Sequence, residues 1–320
     1  MNLKITPKLR SLLKEALTED LGRGDITTEA LIQKSQKGQA WIIAKDSGVC
    51  CGGGLAKEIF RLQDPSLKID LHQKEGELIQ KGKKILTVRG RIRPILEAER
   101  VALNFLGKLS GIATLTRSYV NQIRGTQAKI FDTRKTTPLW RELEKYAVRC
   151  GGGENHRFGL WDEVLVKDNH WAAIRPLLEK TRCRYFREKF VGAGLVPARE
   201  GFRRPRGAPL QRRRIPIEVE VQSLKELAHL LEGTFVPDRI LLDNFSIREL
   251  RRAVLFVNGL YQLLEKRYSI HRKKPELEAS GGIHLKNVRP IAQTGVGRIS
   301  VGRLTHSAPA VDFSLTLRKG

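Results

Sequence analysis

Beyond residue 111 the chain alternates short β-type runs with helical stretches, and this alternation restricts its fold more than any other feature. The runs are Ala128–Phe131, Glu163–Val166, Ile215–Val221, Arg239–Leu242, Glu276–Ala279 and Arg298–Val301. Helical periodicity fills Leu139–Val148, Leu224–Leu231, Ile247–Phe256 and Leu285–Thr294. Parallel strands need a crossover between them, and a helix supplies it compactly, so the pattern predicts an α/β domain with a parallel sheet. An open doubly wound sheet and a closed barrel both satisfy the alternation.

The residues that follow the runs favour the barrel. Asp132-Thr133-Arg134-Lys135 follows the first and Lys167-Asp168-Asn169 the second. Glu220 lies near the end of the third, and Asp243-Asn244 follows the fourth. Ser280-Gly281-Gly282 follows the fifth, and Gly302 the sixth. A (β/α) barrel gathers the C-terminal ends of all its strands on one rim, whereas an open sheet concentrates its chemistry at one switch point.

The first 111 residues read as a separate α/β unit. Thr6 is a plausible N-cap and Pro7 a first helical residue for an opening helix carrying Leu9, Leu12, Leu13, Ala16 and Leu17. Strand-like runs follow at Ala40–Ala44, Leu67–Leu71 and Ile85–Val88, then a helix from Glu97 to Leu109. No apolar run approaches the roughly 20 residues that span a bilayer. The N-terminal stretch has no signal-like apolar core, so a cytoplasmic location is expected. Cys50, Cys51, Cys150 and Cys183 form no C-x-x-C pair and have no histidine at zinc-ligand spacing, which suits a reducing compartment.

A net charge of +25 raises the question of a nucleic-acid partner. Residues 182–214 hold ten Arg and one Lys against two Glu, a net +9, which leaves a diffuse +16 elsewhere. Aromatic residues make up 6%, with no aromatic–basic platform for stacking bases, so nucleic acid is disfavoured. The 182–214 stretch is Arg/Gly/Pro-rich and aperiodic. It is expected to be an insertion forming a mobile surface loop, and FVGAGLVPAREGFRRPRG within it reads like translated repetitive DNA.

The polar groups at the strand ends suit a polyanion, a metal and a phosphate. Arg134, Lys135, His156, Arg157 and Lys167 are the cations; guanidinium forks grip carboxylates and lysine adds a mobile point charge. Glu218 and Glu220 share one face of the IEVEV strand, where they need cations or a metal. Glu220 with Asp243 suits Mg²⁺ beside a substrate phosphate. Ser280, Gly281, Gly282 and Gly302 suit a phosphate held by backbone amides.

Taken together, EDLGRGDITT, ERVALNFLGKLSGIAT, DTRKTTP, LEKYAVRCGGGENHRFGLWDEVLVKDNH, IEVEV, ILLDN, EASGGI and ISVGRLTHS resemble the quinolinate phosphoribosyltransferases. The resemblance covers nearly the whole chain outside 182–214. It implies an N-terminal α/β sandwich over 1–111, joined by 305–320. An incomplete (β/α) barrel of the type II phosphoribosyltransferase kind would occupy 112–304. It further implies a homodimer with a shared active site, and decarboxylating transfer of phosphoribose from phosphoribosyl pyrophosphate to quinolinate with Mg²⁺. On this resemblance Arg134, His156, Arg157 and Lys167 bind the quinolinate carboxylates, with Arg100 reaching in from the partner subunit. Lys135 adds charge near the reacting groups. Thr133 belongs to the substrate-binding set. Lys135, Lys167, Glu220 and Asp243 form the catalytic set. Glu220 and Asp243 serve the ribose and the Mg²⁺–pyrophosphate, while Ser280, Gly281, Gly282, Ser300, Val301 and Gly302 surround the 5′-phosphate. Leu139-Trp140, Trp171 and Arg303 stand where the family usually has Gly-Leu, a smaller aliphatic residue and a small residue. A related transferase with another acceptor and a nucleic-acid-binding protein using the 182–214 arm are the rival readings.

Overall fold

The protein is described by a computed structural model covering residues 3–173, 215–232, 236–268 and 273–318. The expected 182–214 insertion lies outside the described residues. The chain forms two compact units. One comprises Met1–Asn121, Lys135–Asn155 and Gly302–Gly320; the other comprises Gln122–Arg134 and His156–Val301.

In the first unit, α1 (Pro7–Leu21) starts as its sequence predicts. The extended Thr6 accepts a hydrogen bond from the Leu9 amide at 3.2 Å, and Pro7 takes the first turn, where its missing N–H costs nothing. Leu9, Leu13 and Leu17, four residues apart, are its buried stripe. After α2 (Ile26–Leu31) come β1 (Lys37–Ala44), the short β2 (Gly48–Val49), α3 (Gly53–Gln63), β3 (Lys68–Leu71), β4 (Leu78–Ile79) and β5 (Lys84–Arg91). β1 alternates, with Ala40, Ile42 and Ala44 fully buried. It pairs antiparallel with β5 and, on its other side, with the C-terminal strand Phe313–Arg318. β3 pairs antiparallel with β5, giving four strands, while β2 and β4 form a separate ribbon.

The helix expected at Glu97–Leu109 is far longer: α4 runs from Ile92 to Gln122. Ser110, Thr114, Thr116 and Ser118 obscure its continuation. The last three hydroxyls donate to the carbonyls four residues earlier, which keeps these polar residues compatible with the helix. Gly107 and Gly111 also look like breakers, yet each is needed for packing. A Cβ on Gly111 would lie 1.9 Å from the Pro309 carbonyl oxygen, and the Val311 amide donates to the Gly107 carbonyl at 3.1 Å.

The same unit contains α5 (Arg141–Cys150), preceded by the turn at Leu139-Trp140. Leu139 has φ 67° and is 77% exposed, so a branched side chain occupies a left-handed conformation without gaining burial. The next residue compensates: Trp140 stacks flat on Phe105 of α4, with centroids 4.4 Å apart and planes at 4°. Leu139→Gly should therefore stabilise the protein by about 0.5–1 kcal/mol, the strain relieved less the entropy glycine brings. An upward shift of the urea midpoint at unchanged slope would show it.

The second unit contains β6 (Lys129–Phe131), β7 (Val164–Val166), β8 (Ile217–Val221), α6 (Leu224–Glu232) and β9 (Arg239–Asp243). These are followed by α7 (Ile247–Tyr268), β10 (Glu276–Ser280), α8 (Val288–Ala292) and β11 (Arg298–Ser300). All six expected runs are strands, paired in parallel in the order β6-β11-β10-β9-β8-β7. From β7 to β11 each strand neighbours its successor, and the last then pairs with the first. That is barrel order, and among the described residues β6 and β7 are the two edges of an incomplete ring. Among the described residues no helix is long and apolar enough to cross a membrane.

Candidate active site

Within the second unit the strands carry charge into the sheet's interior. His156, just ahead of β7 in the chain, is fixed by its backbone: its amide donates at 3.0 Å to the fully buried Asp132, the first residue after β6. Its Nε2 lies 3.0 Å from Oε2 of Glu218 on β8 and 3.4 Å from Oε1 of Glu278 on β10. Glu278, also fully buried, takes the Arg298 guanidinium and the Ser300 hydroxyl from β11. Arg298 in turn lies over the Phe131 ring, 3.5 Å from its centroid. A buried carboxylate of this kind survives only with such partners.

Burial alone would lower the pKa of His156, but hydrogen bonding to Glu218 and Glu278 outweighs it and raises the value to about 9. The Arg157 amide donates to Nδ1 at 2.8 Å and opposes a second proton there. The two carboxylates hold the ring proton on Nε2, and charging the ring means giving up the Arg157 bond at Nδ1. Glu218 shows the counterpart: burial first, then the neighbouring Glu278, raise its pKa.

At the strand ends the groups are more open. Lys167, after β7, places Nζ 3.3 Å from Oε2 of Glu220 on β8; the lysine side chain is 46% exposed and the glutamate 8%. Burial raises the Glu220 pKa, Lys167 counters it, and Asp243 and Asp168 add to the rise. Glu220 therefore lies in the field of a second carboxylate from the adjacent strand. Arg157 is 7% exposed, and burial followed by the nearby Arg134 lowers its pKa, so two guanidiniums share one neighbourhood. Its Nη1 is anchored by donating to the Glu163 carbonyl at 3.0 Å.

The turn after β10 is shaped by its neighbour after β9. Asn244, at φ 57°, donates its amide to the Ser280 carbonyl at 2.9 Å. A Cβ on Gly281 would lie 2.1 Å from Asn244 Oδ1 and 2.9 Å from its backbone nitrogen, and Gly281 itself has φ 89°. Only glycine satisfies both conditions. Gly282 follows at φ 60°, and Asn287 accepts from the His284 amide while donating to the Gly282 carbonyl.

Several residues expected in the site are committed elsewhere. Both ring nitrogens of His156 are engaged within the protein. The Ser300 hydroxyl points to Glu278, and the Val301 amide donates to the Phe131 carbonyl at 2.9 Å. Thr133 and Arg134 directly follow β6 and are half-buried. In the first unit, Arg100 is exposed on α4. Lys135, also exposed, runs past Gly302, where a Cβ would lie 3.2 Å from its Cδ, and its carbonyl accepts from Thr305 Oγ1 at 2.6 Å. Arg303 is exposed at the start of the short helix Arg303–His306, and Trp171 is half-buried. The sequence reading misses Glu278 and Arg298, and places Asp132 only in the polar burst after the first β-run. Their signal was present for Glu278, a charge flanked by Leu277 and Ala279 within a strand, as Glu218 is flanked by Ile217 and Val219.

An incomplete (β/α) barrel presenting cations, neighbouring carboxylates and a glycine turn at its strand ends defines a protein that handles a polyanionic substrate. Comparison with known proteins makes this specific. Residues 25–110 match the quinolinate phosphoribosyl transferase N-terminal domain, and residues 112–190 and 204–316 match the C-terminal domain of the same family. The chain belongs to the quinolinate phosphoribosyltransferase family. It is 38% identical to the nicotinate-nucleotide pyrophosphorylase (carboxylating) of Mycobacterium leprae over 96% of each chain. It is 37% identical to a probable enzyme of that name from Bacillus subtilis, over 96% of this chain and 93% of that one. The crystal structure of the Ehrlichia chaffeensis nicotinate-nucleotide pyrophosphorylase superposes with a TM-score of 0.78 at 34% identity, covering 99% of this chain and all of the other. The unmatched residues 191–203 fall within the expected insertion.

Glu278→Ala would leave Arg298 and His156 facing each other without their shared anion, and should cost about 3–5 kcal/mol in equilibrium unfolding. The raised His156 pKa has its own signature. Its stabilisation is fully present below the ordinary value of 6.5 and is lost as pH rises through about 9. Unfolding free energy should thus decline across that window in the wild type, and His156→Gln should flatten the decline.

Proposed function

We propose that this protein is a decarboxylating quinolinate phosphoribosyltransferase, joining quinolinate to phosphoribosyl pyrophosphate and releasing nicotinate mononucleotide, CO₂ and pyrophosphate for NAD biosynthesis. The observation that carries the reading is the juxtaposition of Lys167, Glu220 and Asp243 at neighbouring strand ends, in a chain matched over both domains of that family. The names of the Mycobacterium leprae and Bacillus subtilis relatives support the same reaction.

Quinolinate is a dianion, so binding must replace its hydration with fixed charge. Arg134 and Arg157 supply adjacent guanidiniums for its carboxylates, and Lys167 a third cation. The pyridine nitrogen attacks C1 of the ribose as the C1–O bond to pyrophosphate breaks. Positive charge builds on the ribose, where the Glu220 carboxylate stabilises it. Loss of CO₂ then leaves an electron pair on the ring carbon beside the nitrogen, which the nearby cations favour until a proton from solvent takes it and forms the C–H bond of the product. Lys135 adds to that positive field. Ser280, Gly281 and Gly282 bind the 5′-phosphate through a turn that no other residue type can form at Gly281. His156, Ser300 and Val301 act as positioning residues in this reading, because their polar groups are already engaged.

Glu220 and Asp243 fit Mg²⁺: two oxygen donors from adjacent strands, with Asp243 adding to the raised proton affinity of Glu220, which a divalent cation would relieve. Bound there, it would neutralise the departing pyrophosphate. The working form is a cytoplasmic homodimer in which Arg100 serves the partner's site.

Purified protein with quinolinate, phosphoribosyl pyrophosphate and Mg²⁺ should release pyrophosphate and nicotinate mononucleotide in equal amounts; absence of product would refute the assignment. Lys167→Ala and Glu220→Gln should each lower kcat/KM by about 100-fold or more with unfolding midpoints little changed. Mixed dimers of Arg100→Ala and Lys167→Ala chains should recover activity that neither parent shows. Mixed dimers that form but stay inactive would remove Arg100 from the shared site.

A further inference from the structure

A second chemical grouping lies in the first unit. Cys51 precedes Gly52, the N-cap of α3, and Cys150 ends α5. Their Sγ atoms and a carboxylate oxygen of Glu75 lie within 4.8 Å of one another. Cys51 is fully buried and Cys150 is 4% exposed. Both backbones are held firmly. Ser110 Oγ accepts from the Cys51 amide at 3.0 Å and contacts its carbonyl at 3.1 Å, while Arg117 of α4 donates to the carbonyls of Gly151 at 2.8 Å and Cys150 at 3.4 Å.

The two thiols are not equivalent. Cys150 accepts hydrogen bonds from the Cys51 thiol and from the phenol of Tyr146, one turn earlier on α5; these outweigh burial and lower its pKa. Burial, with the bond it donates to Cys150, pushes Cys51 well up. Cys150 is the less buried of the two and accepts from the Cys51 thiol, so it is the sulfur an oxidant meets first, with Cys51 beside it. Glu75 is already engaged: its two oxygens accept the Gly52 and Gly54 amides at 2.8 and 3.1 Å and so cap α3. A metal would have to compete with those bonds.

We propose that Cys150 and Cys51 form a peroxide-responsive dithiol site, with Cys150 the attacking and Cys51 the resolving residue. The Cys150 thiolate attacks one oxygen of hydrogen peroxide; an S–O bond forms, the O–O bond breaks, and the departing hydroxide leaves as water. Cys51 sulfur then attacks Cys150 sulfur. An S–S bond forms, the S–O bond breaks, and the Cys51 proton leaves with the hydroxide as a second water. Each sulfur gives up one electron to the peroxide. A small neutral oxidant suits a pair with so little exposure. The product would close a loop of roughly 100 residues and fasten the start of α3 to the end of α5.

The test uses the full-length chain carrying Cys183→Ser, so that the three remaining thiols are those at Cys50, Cys51 and Cys150. Native protein treated with hydrogen peroxide should lose two thiols, regain both with dithiothreitol, and yield a Cys51–Cys150 cross-linked peptide without reduction. Cys51→Ser should trap a sulfenic acid at Cys150 that dimedone labels, and Cys150→Ser should abolish thiol loss. Tyr146→Phe, which keeps both cysteines, should slow the reaction by about tenfold through loss of one hydrogen bond to the thiolate. Unchanged thiol counts, a Cys50–Cys51 link, or one equivalent of bound zinc protecting both thiols would each overturn the proposal.

Discussion

The second unit is organised around a charge network placed where an ordinary sheet would carry valine or leucine. Glu218, Glu278 and Arg298 point inward from three strands, and His156 joins them from the loop ahead of β7. In an interior of low polarity an unmatched charge costs several kcal/mol, so each member is tolerable only because the others are present. The network therefore specifies register. If any one of these strands slipped by a single residue, its charge would turn to the opposite face and strand its partners. Apolar residues of the same volume would bury well but would tolerate more than one alignment. Parallel pairing supplies the hydrogen bonds; the buried charges select one way of making them.

That selection positions the chemistry. Glu218 and Glu220 are two residues apart on β8, so fixing the first against His156 fixes the second at the strand end, facing Lys167. Glu278 and Ser280 are related in the same way on β10, and Ser280 leads into Gly281 and Gly282. The strands thus act as rulers: a buried polar residue anchors each, and the reactive residue follows at the next position on the same face. Arg157 is placed by a different route. Its neighbour His156 is held through both backbone and ring, and Arg157 itself donates to the Glu163 carbonyl.

Much of this was legible in the sequence because it depends on local pattern. The six β-runs, the Thr6–Pro7 helix start and the polar residue after every strand follow from periodicity and capping, which adjacent residues encode. The sequence pattern makes α4 too short, because its Ser, Thr and Gly residues resemble a boundary. Its continuation depends on Pro309 to Val311, about 200 residues later in the chain, lying against Gly107 and Gly111. The buried network was legible only in part. Glu218 stood out as a charge alternating with β-branched residues, but a single strand cannot reveal that its partner is His156, 62 positions earlier. Likewise Ser300 and Val301 sit where phosphate ligands are expected, and only the neighbouring strands show that their hydrogen bonds are already spent.

The turn ahead of α5 shows how a chain absorbs a local misfit. Leu139 strains the backbone at a positive φ, yet the following Trp140 gains a flat stack on Phe105 that a smaller residue would not provide. Strain and stacking are of similar size, each near 1 kcal/mol, so the turn persists at little net cost. Arg303, by contrast, is exposed and needs no compensation from the core. Gly281 admits no such exchange. Its Cβ position is filled by the Asn244 side chain and backbone, and its φ of 89° is one that L side chains rarely adopt, so sterics and conformation both oppose substitution. Tolerance in this protein thus follows the number of constraints meeting at a position: one constraint is offset by a neighbour, and two leave a single residue type.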